Sequence, residues 1–257
     1  MGRTGLIIAL AVAVLAGVIF GLNADLDLSL SRSFFEIPLG SHGFALSLDP
    51  VVQMVREAGK LWVSVLVLSA IVTLAVKLVR PRARLLMSAR TMIFLLATFV
   101  LGPGAMANAV LKEHWARSRP VDVTEFGGTE KFVPWWDPRG DCRKNCSFVS
   151  GDVSAAFWTL APAALAPPAW RALAYGGALA FGVAASLLRM AAGAHFLTDA
   201  VFAGVFTFLI IWGVHGMMYR WRRTCLSDEN IEGAIERAAL RAQEAWLGLF
   251  GKRLPQA

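Results

Sequence analysis

The chain has 257 residues, 56% of them hydrophobic and only 17% charged, with a mean hydropathy of +0.57. A soluble domain of this length cannot hide that much apolar surface, so the composition excludes an ordinary water-soluble globule and points to an integral membrane protein. The net charge of +7 sits mostly in short basic loops and tails beside apolar segments, as the positive-inside rule places it, which removes the case for a nucleic-acid partner.

The first apolar run is Leu6 to Leu22, preceded by Arg3. No small-x-small cleavage site closes it, so it reads as a span and not as a cleaved signal peptide. Asn23 to Glu57 is mixed, with Pro38, Gly40, Gly43 and Pro50 as breakers and the Phe34-Phe35 pair placed at the interface. The second span, Leu61 to Val79, runs into Arg80-Pro81-Arg82-Ala83-Arg84, with Arg90 following. That is a cytoplasmic signature.

The third span, Thr91 to Val110, contains Gly102-Pro103-Gly104, a kink that neighbouring helices can tolerate. The longest polar loop follows, Glu113 to Ser150, and then a short fourth span from Val153 to Ala166 that carries Pro162. Pro167-Pro168-Ala169-Trp170-Arg171 turns the chain into a fifth span, Ala172 to Leu187. The sixth, Phe196 to Met218, ends at Arg220, Arg222 and Arg223.

These segments predict an all-α fold: a six-transmembrane helical bundle over residues 1–224, with both termini and the arginine-rich loops in the cytoplasm and an active-site loop outside. After Cys225 the character changes. Ile231, Ala234, Ile235, Ala238, Ala242, Ala245 and Leu249 recur at helical spacing, so 225–257 is expected to form an amphipathic tail helix, on the inner leaflet or packed against the spans. No internal repeat is visible.

Cys142 and Cys146 lie in the outer loop, where an oxidising compartment favours a disulfide over a metal site, since two thiolates without matched partners are a weak zinc signal. Trp135-Trp136 in the same loop suit interfacial anchors or the lining of a lipid entrance.

The chemistry concentrates in three clusters on the outer side. In Leu188 to Asp199 an arginine, a histidine and an aspartate stand together, where a hydrophobic chain has no packing reason to keep them. With a helix after the joint, His195 and Asp199 share a face, so the carboxylate can orient the imidazole as nucleophile or base, and Arg189 can bring a cationic fork to an anion. Lys112-Glu113-His114-Trp115-Ala116-Arg117-Ser118-Arg119-Pro120 supplies further cations, and Ser150-Gly151 opens the fourth span with backbone N–H groups for an anion. Together they describe a phosphate site that includes its own nucleophile. His114 is a spare imidazole with a structural reading, His42 and His215 have no partners in view, and Arg117 either assists or faces water.

Lys112 with six residues before Arg119-Pro120, then Ser150-Gly151, then Arg189 with five residues before His195 and three before Asp199, resembles the type 2 phosphatidic acid phosphatase superfamily. Its signature reads K-x6-R-P, P-S-G-H and S-R-x5-H-x3-D, and the resemblance covers roughly residues 60 to 218. It implies that His195 attacks phosphorus to form a phosphohistidine, that Asp199 holds its ring, and that Lys112, Arg119, Arg189, Ser150 and Gly151 bind the phosphoryl oxygens. Water then hydrolyses the intermediate, with no metal and no cofactor.

Three positions depart from the signature. Val149 replaces its proline, Leu188 its serine, and Asp152 the histidine that protonates the leaving oxygen. Asp152 is expected to be catalytic, a carboxylic acid with a raised pKa acting as the general acid; the alternatives are an ionised carboxylate that only orients a neighbour, and a leaving group that needs little protonation.

The stretch Asn145-Cys146-Ser147-Phe148-Val149-Ser150-Gly151-Asp152, with its long preceding loop, looks most like the bacterial lipid A phosphatases, especially those acting on the 4′-phosphate. The resemblance thus implies a phosphoric monoester hydrolase of the bacterial inner membrane, its site facing the periplasm, with a phosphorylated membrane lipid as partner. Arg143 and Lys144 near the mouth suit a multiply anionic headgroup. Undecaprenyl diphosphate or phosphatidylglycerol phosphate as substrate, phosphoryl transfer to a second lipid, and noncatalytic lipid binding are the alternatives. The soluble haloperoxidases that share the site residues are excluded by the spans.

Overall fold

The structure is a computed structural model that describes residues 1–35, 43–221, 224 and 227–249. Pro38, Gly40, His42, Arg222, Arg223, Cys225 and the end of the expected tail helix lie outside the described residues. Among the described residues there is no strand, only an isolated bridge between Val123 and Glu130.

Five helices are long and apolar enough to cross a membrane: α1 (Arg3–Leu22), α3 (Pro50–Val79), α4 (Ala89–His114), α7 (Pro168–Ala191) and α8 (Leu197–Arg220). A short α2 (Asp25–Arg32) follows α1. The expected fourth span is not one long helix. It folds as α5 (Gly151–Phe157) and α6 (Leu160–Ala164), so five such helices stand where six spans were expected. Pro162 has no N–H to continue the ladder, and the break is made by tight turns in which Thr159 N bonds the Ala156 carbonyl at 3.1 Å and Ala161 N the Trp158 carbonyl at 2.8 Å.

Helix α3 begins well before the expected Leu61. Asp49 caps it, its Oδ1 accepting from Val51 N at 2.8 Å and Val52 N at 3.0 Å, and Pro50 occupies the first helical position, where its missing N–H costs nothing. Pro50 is therefore a helix starter and not a breaker. Its extra turns bring Arg56, Glu57 and Lys60 into the helix. Likewise Pro168 starts α7.

The middle of α4, Val100–Leu111, is π-helical around Pro103. The kink expected at Gly102-Pro103-Gly104 takes this form, and the Asn108 side-chain amide donates to the Pro103 carbonyl at 2.6 Å, satisfying a group the wider turn frees.

The chain divides into two compact units. The first comprises 1–63 and 98–213 and holds the polar loop and the helices around it. Its core is Ala107, Phe148, Val149, Val153, Ala200, Phe202 and Ala203, with a second cluster of Leu28, Phe44, Val123, Phe126 and Phe196. Trp135 packs into the first of these, its ring 4.4 Å from that of Phe202, and the indole N–H of Trp115 bonds its carbonyl at 2.7 Å. It is a packing residue, whereas Trp136 is half exposed.

The second unit comprises 64–97 and 214–257. Here the tail helix α9 (Asp228–Leu249) packs against the end of α3: buried Lys77 bridges Glu232 at 2.8 Å and Glu236 at 3.2 Å, and Gln243 donates to the Leu78 and Val79 carbonyls. In the same unit the His215 ring stacks on Tyr219.

Candidate active site

His195 sits in the joint between α7 and α8, only 2% exposed. Its Nδ1 is 2.8 Å from the Ser147 carbonyl oxygen and 3.8 Å from Asp199 Oδ2. A carbonyl can only accept, so Nδ1 carries the proton and the Nε2 lone pair is left free. The ring is thus held first by the Ser147 backbone, and the Asp199 carboxylate acts as a charge behind it. Asp199 in turn accepts from the Ser147 hydroxyl at 2.5 Å and from Phe196 N at 2.8 Å through Oδ2. Burial drives the His195 pKa down to about 4, the Arg189 and Arg119 charges pushing the same way against the pull of Asp199. Near neutral pH the imidazole is uncharged and nucleophilic.

Behind His195 lies a buried network. Arg117 is wholly buried and uses its full fork: Nη1 donates to Asp199 Oδ1 at 2.5 Å and to the Thr198 hydroxyl at 2.7 Å, Nη2 to Asp27 Oδ2 at 2.8 Å, and Nε to the Val133 carbonyl at 3.1 Å. Its guanidinium also lies 4.4 Å from the Phe196 ring centre. Asp27, from α2, accepts from both Thr198 N and its hydroxyl. Arg117 therefore does not face water.

The cations expected to hold phosphate converge on the same place. Lys112, Arg119 and Arg189 lie within range of one another's charge, together with Arg56 and Asp152. Arg119 is anchored by donation from Nη2 to the Asn145 carbonyl at 2.7 Å. Asp152 accepts from Arg56 Nε at 2.7 Å and lies 3.4 Å from Arg189 Nε. Both contacts are with guanidinium groups, and a charge-assisted hydrogen bond with a second cation beside it favours the charged form of the carboxyl. This environment favours the ionised carboxylate that orients its neighbours over the expected general acid.

Ser150 caps α5, accepting from Val153 N at 3.4 Å, so part of its hydroxyl is committed to the helix. Gly151 allows close contact with α4: a Cβ there would lie 2.5 Å from the Asn108 Oδ1. Cys142 and Cys146 are bonded to each other. Their loop is laced to the Lys112 segment, Cys142 N to the Ala116 carbonyl, Cys146 N to the Lys112 carbonyl and Ser147 N to the Arg117 carbonyl. Arg143 and Lys144 line an open pocket with Arg119, Asp122, Glu130 and Asp141. His114 is exposed and bonds only its own helix, at the Val110 carbonyl.

Sequence reasoning misses Arg56, Asp27 and Ser147. A charged group inside an apolar helix is the available signal for Arg56. For Asp27 and Ser147 there is none, because their partners are distant in the chain.

The sequence profile described as PAP2 superfamily matches residues 88–223. A lipid A 4′-phosphatase of Francisella tularensis subsp. novicida is 32% identical over 222 residues, covering 86% of this chain and 98% of that protein. A lipid A 4′-phosphatase of Rhizobium leguminosarum is 37% identical over 106 residues, 41% of this chain and 46% of that protein. One from Rhizobium etli is 36% identical over 104 residues, 40% of each. No solved structure matches the chain.

Proposed function

The chain belongs to the PAP2 superfamily, and we propose that it removes the 4′-phosphate from a lipid A-type glycolipid at the outer face of a bacterial inner membrane. The observation that carries this reading is the buried His195, its Nδ1 spent on the Ser147 carbonyl and its ring within reach of the Arg119 and Arg189 charges, to which Lys112 adds a third. The similarity to lipid A 4′-phosphatases, over 98% of one of them, supports the substrate.

In this mechanism Nε2 attacks phosphorus and the bond from phosphorus to the lipid oxygen breaks. The phosphoryl group passes to His195, and the lipid alkoxide takes a proton from water. A second water attacks the phosphohistidine, releasing inorganic phosphate and restoring the imidazole. Lys112, Arg119 and Arg189 offset the charge on the phosphoryl oxygens in both steps, and the Ser150 hydroxyl and Gly151 amide add hydrogen bonds. Asp152, ionised, positions Arg56 and Arg189.

The topology follows from the site. Lys112 and Arg189 end α4 and α7 beside Gly151, which starts α5, so the chain must run the length of α7 to reach Pro168. In the proposed topology the broken pair α5 and α6 makes one more pass, giving six. The arginine-rich segment 80–90 then faces the cytoplasm and the site the periplasm.

The test is phosphate release by the purified protein and its His195→Ala variant, in detergent without divalent cations, from lipid A, undecaprenyl diphosphate, phosphatidylglycerol phosphate and phosphatidate. Turnover of lipid A by the unaltered protein, lost in the variant, supports the reading. Turnover that survives His195→Ala overturns the mechanism, and preference for another lipid overturns the substrate.

A further inference from the structure

A cavity of about 120 Å³ opens beside the phosphate cations, between α3, α5 and α7. Its two ends differ. At one end Arg56 and Arg189 both touch Asp152, with Lys60 a turn away. The rest is apolar: Val55, Gly59 and Val63 of α3, Ala155 and Ala156 of α5, and Phe181, Ala184, Ala185 and Leu188 of α7. The space exists because the facing residues are small. At Gly59 a side chain would already meet the Phe181 ring at 3.2 Å. From Arg56 to Val63 the slot extends about 10 Å along α3, at about 1.5 Å per residue.

At the mouth Arg56, Lys60 and Arg189 outnumber two carboxylates, Asp152 and Glu57, the latter paired with Lys60 at 2.7 Å; with methyl groups and an aromatic ring behind them, they complement a molecule that carries an anion joined to a hydrocarbon chain. The mouth also shares Arg189 and Asp152 with the phosphate site, so the two are continuous. We propose that this slot binds the first stretch of an acyl chain of the lipid whose phosphate lies at His195, and that Arg56 and Lys60 hold the anionic or ester oxygens where that chain begins. The proposal rests on the phosphatase reading for the identity of the headgroup, and on the cavity alone for the chain. It makes Ala155, Ala184 and Ala185 determinants of chain recognition, although none of them approaches the reacting atoms.

The experiment fills the slot from two walls separately, with Ala184→Phe and Ala155→Leu. Turnover is measured on two phosphate monoesters matched in headgroup, one with long acyl chains and one with acetyl groups only. A bulky side chain displaces methylenes worth about 0.8 kcal/mol each, so the loss of two of them corresponds to about tenfold. The expected result is a fall of about tenfold or more in kcat/KM on the long-chain substrate, with the acetylated one unchanged. A long-to-short ratio unaltered in both variants, whether through no loss or through equal loss, overturns the slot. If the unaltered protein turns over neither substrate, the phosphatase reading fails separately. The slot is then read by retention of a fluorescent long-chain lipid phosphate. Retention weakened in the variants upholds it, and equal retention overturns it.

Discussion

Arg117 donates to Asp199 at 2.5 Å from a position that is wholly buried, with Asp27 on its other branch at 2.8 Å. Two buried carboxylates and one guanidinium are tolerable only while the fork is complete, because each charge has lost its water. Removing the cation leaves both carboxylates unpaired. Arg117→Ala is expected to lower stability by about 3–5 kcal/mol, read as a large drop in the thermal unfolding midpoint in detergent. Arg117→Lys keeps the charge but has no planar fork to serve Asp199, Thr198 and Asp27 together, so it is expected to fold and to lose turnover. A lysine variant with unaltered kcat would show that the network does not position the nucleophile.

Asp152 is expected to behave as a positioning residue. Its carboxylate accepts from Arg56 at 2.7 Å with Arg189 at 3.4 Å, and two guanidinium groups so close favour the ionised form. It therefore has no proton to give a leaving group. Asp152→Asn frees Arg56 and Arg189, and the expected outcome is a rise of about tenfold in KM with little change in kcat and an unaltered alkaline limb of the pH profile. A general acid would show the opposite, a kcat loss of about 10²–10⁴ and a lost alkaline limb.

What the sequence disclosed and what it hid divide along chain distance. Lys112 with Arg119, and Arg189 with His195 and Asp199, are local patterns whose spacing survives folding, so the linear chain displays them. Asp27 bonds Thr198 across 171 positions, and Arg56 meets Asp152 across 96. No periodicity reports such a pairing, which arises only when helices assemble. The start of α3 was legible in principle, since Asp49-Pro50 is a cap followed by a first-turn proline, but reading Pro50 as a breaker concealed it. The expected fourth span shows the reverse. Its composition is that of a span, while Pro162 limits how much of it can be regular helix, and residues 151–164 rise only about 21 Å where a hydrocarbon core needs about 30 Å.

The disulfide loop reaches Arg119 through one contact, the Asn145 carbonyl. Opening so small a loop costs about 2 kcal/mol in chain entropy, and it loosens the acceptor that fixes the guanidinium. Cys142→Ser is expected to raise KM several-fold while kcat changes little, and reductant is expected to do the same to the unaltered protein and nothing to the variant. The measurement is the pair of Michaelis curves with and without reductant. A variant that still responds to reductant would place the effect outside this loop.

His195 gives the most direct pH prediction. Its pKa falls from 6.5 to about 4 on folding, chiefly through burial. Between those values the unfolded chain takes up a proton and the folded one does not, so stability present above about 6.5 is lost as pH falls toward 4. By about 1.4 kcal/mol per pH unit, the group contributes roughly 3 kcal/mol to that fall. Below about 4 both states are protonated and the contribution is level. In the proposed mechanism catalysis follows the same ionisation, because only a neutral imidazole can attack phosphorus. The acid limb of kcat/KM is therefore expected to have one component near pH 4 that stays fixed when the lipid is changed. The substrate phosphate, whose second ionisation lies near 6, adds another component that moves with the lipid. A substrate-independent limb near 6.5 would mean that the imidazole is hydrated, and that the buried setting described for the nucleophile is wrong.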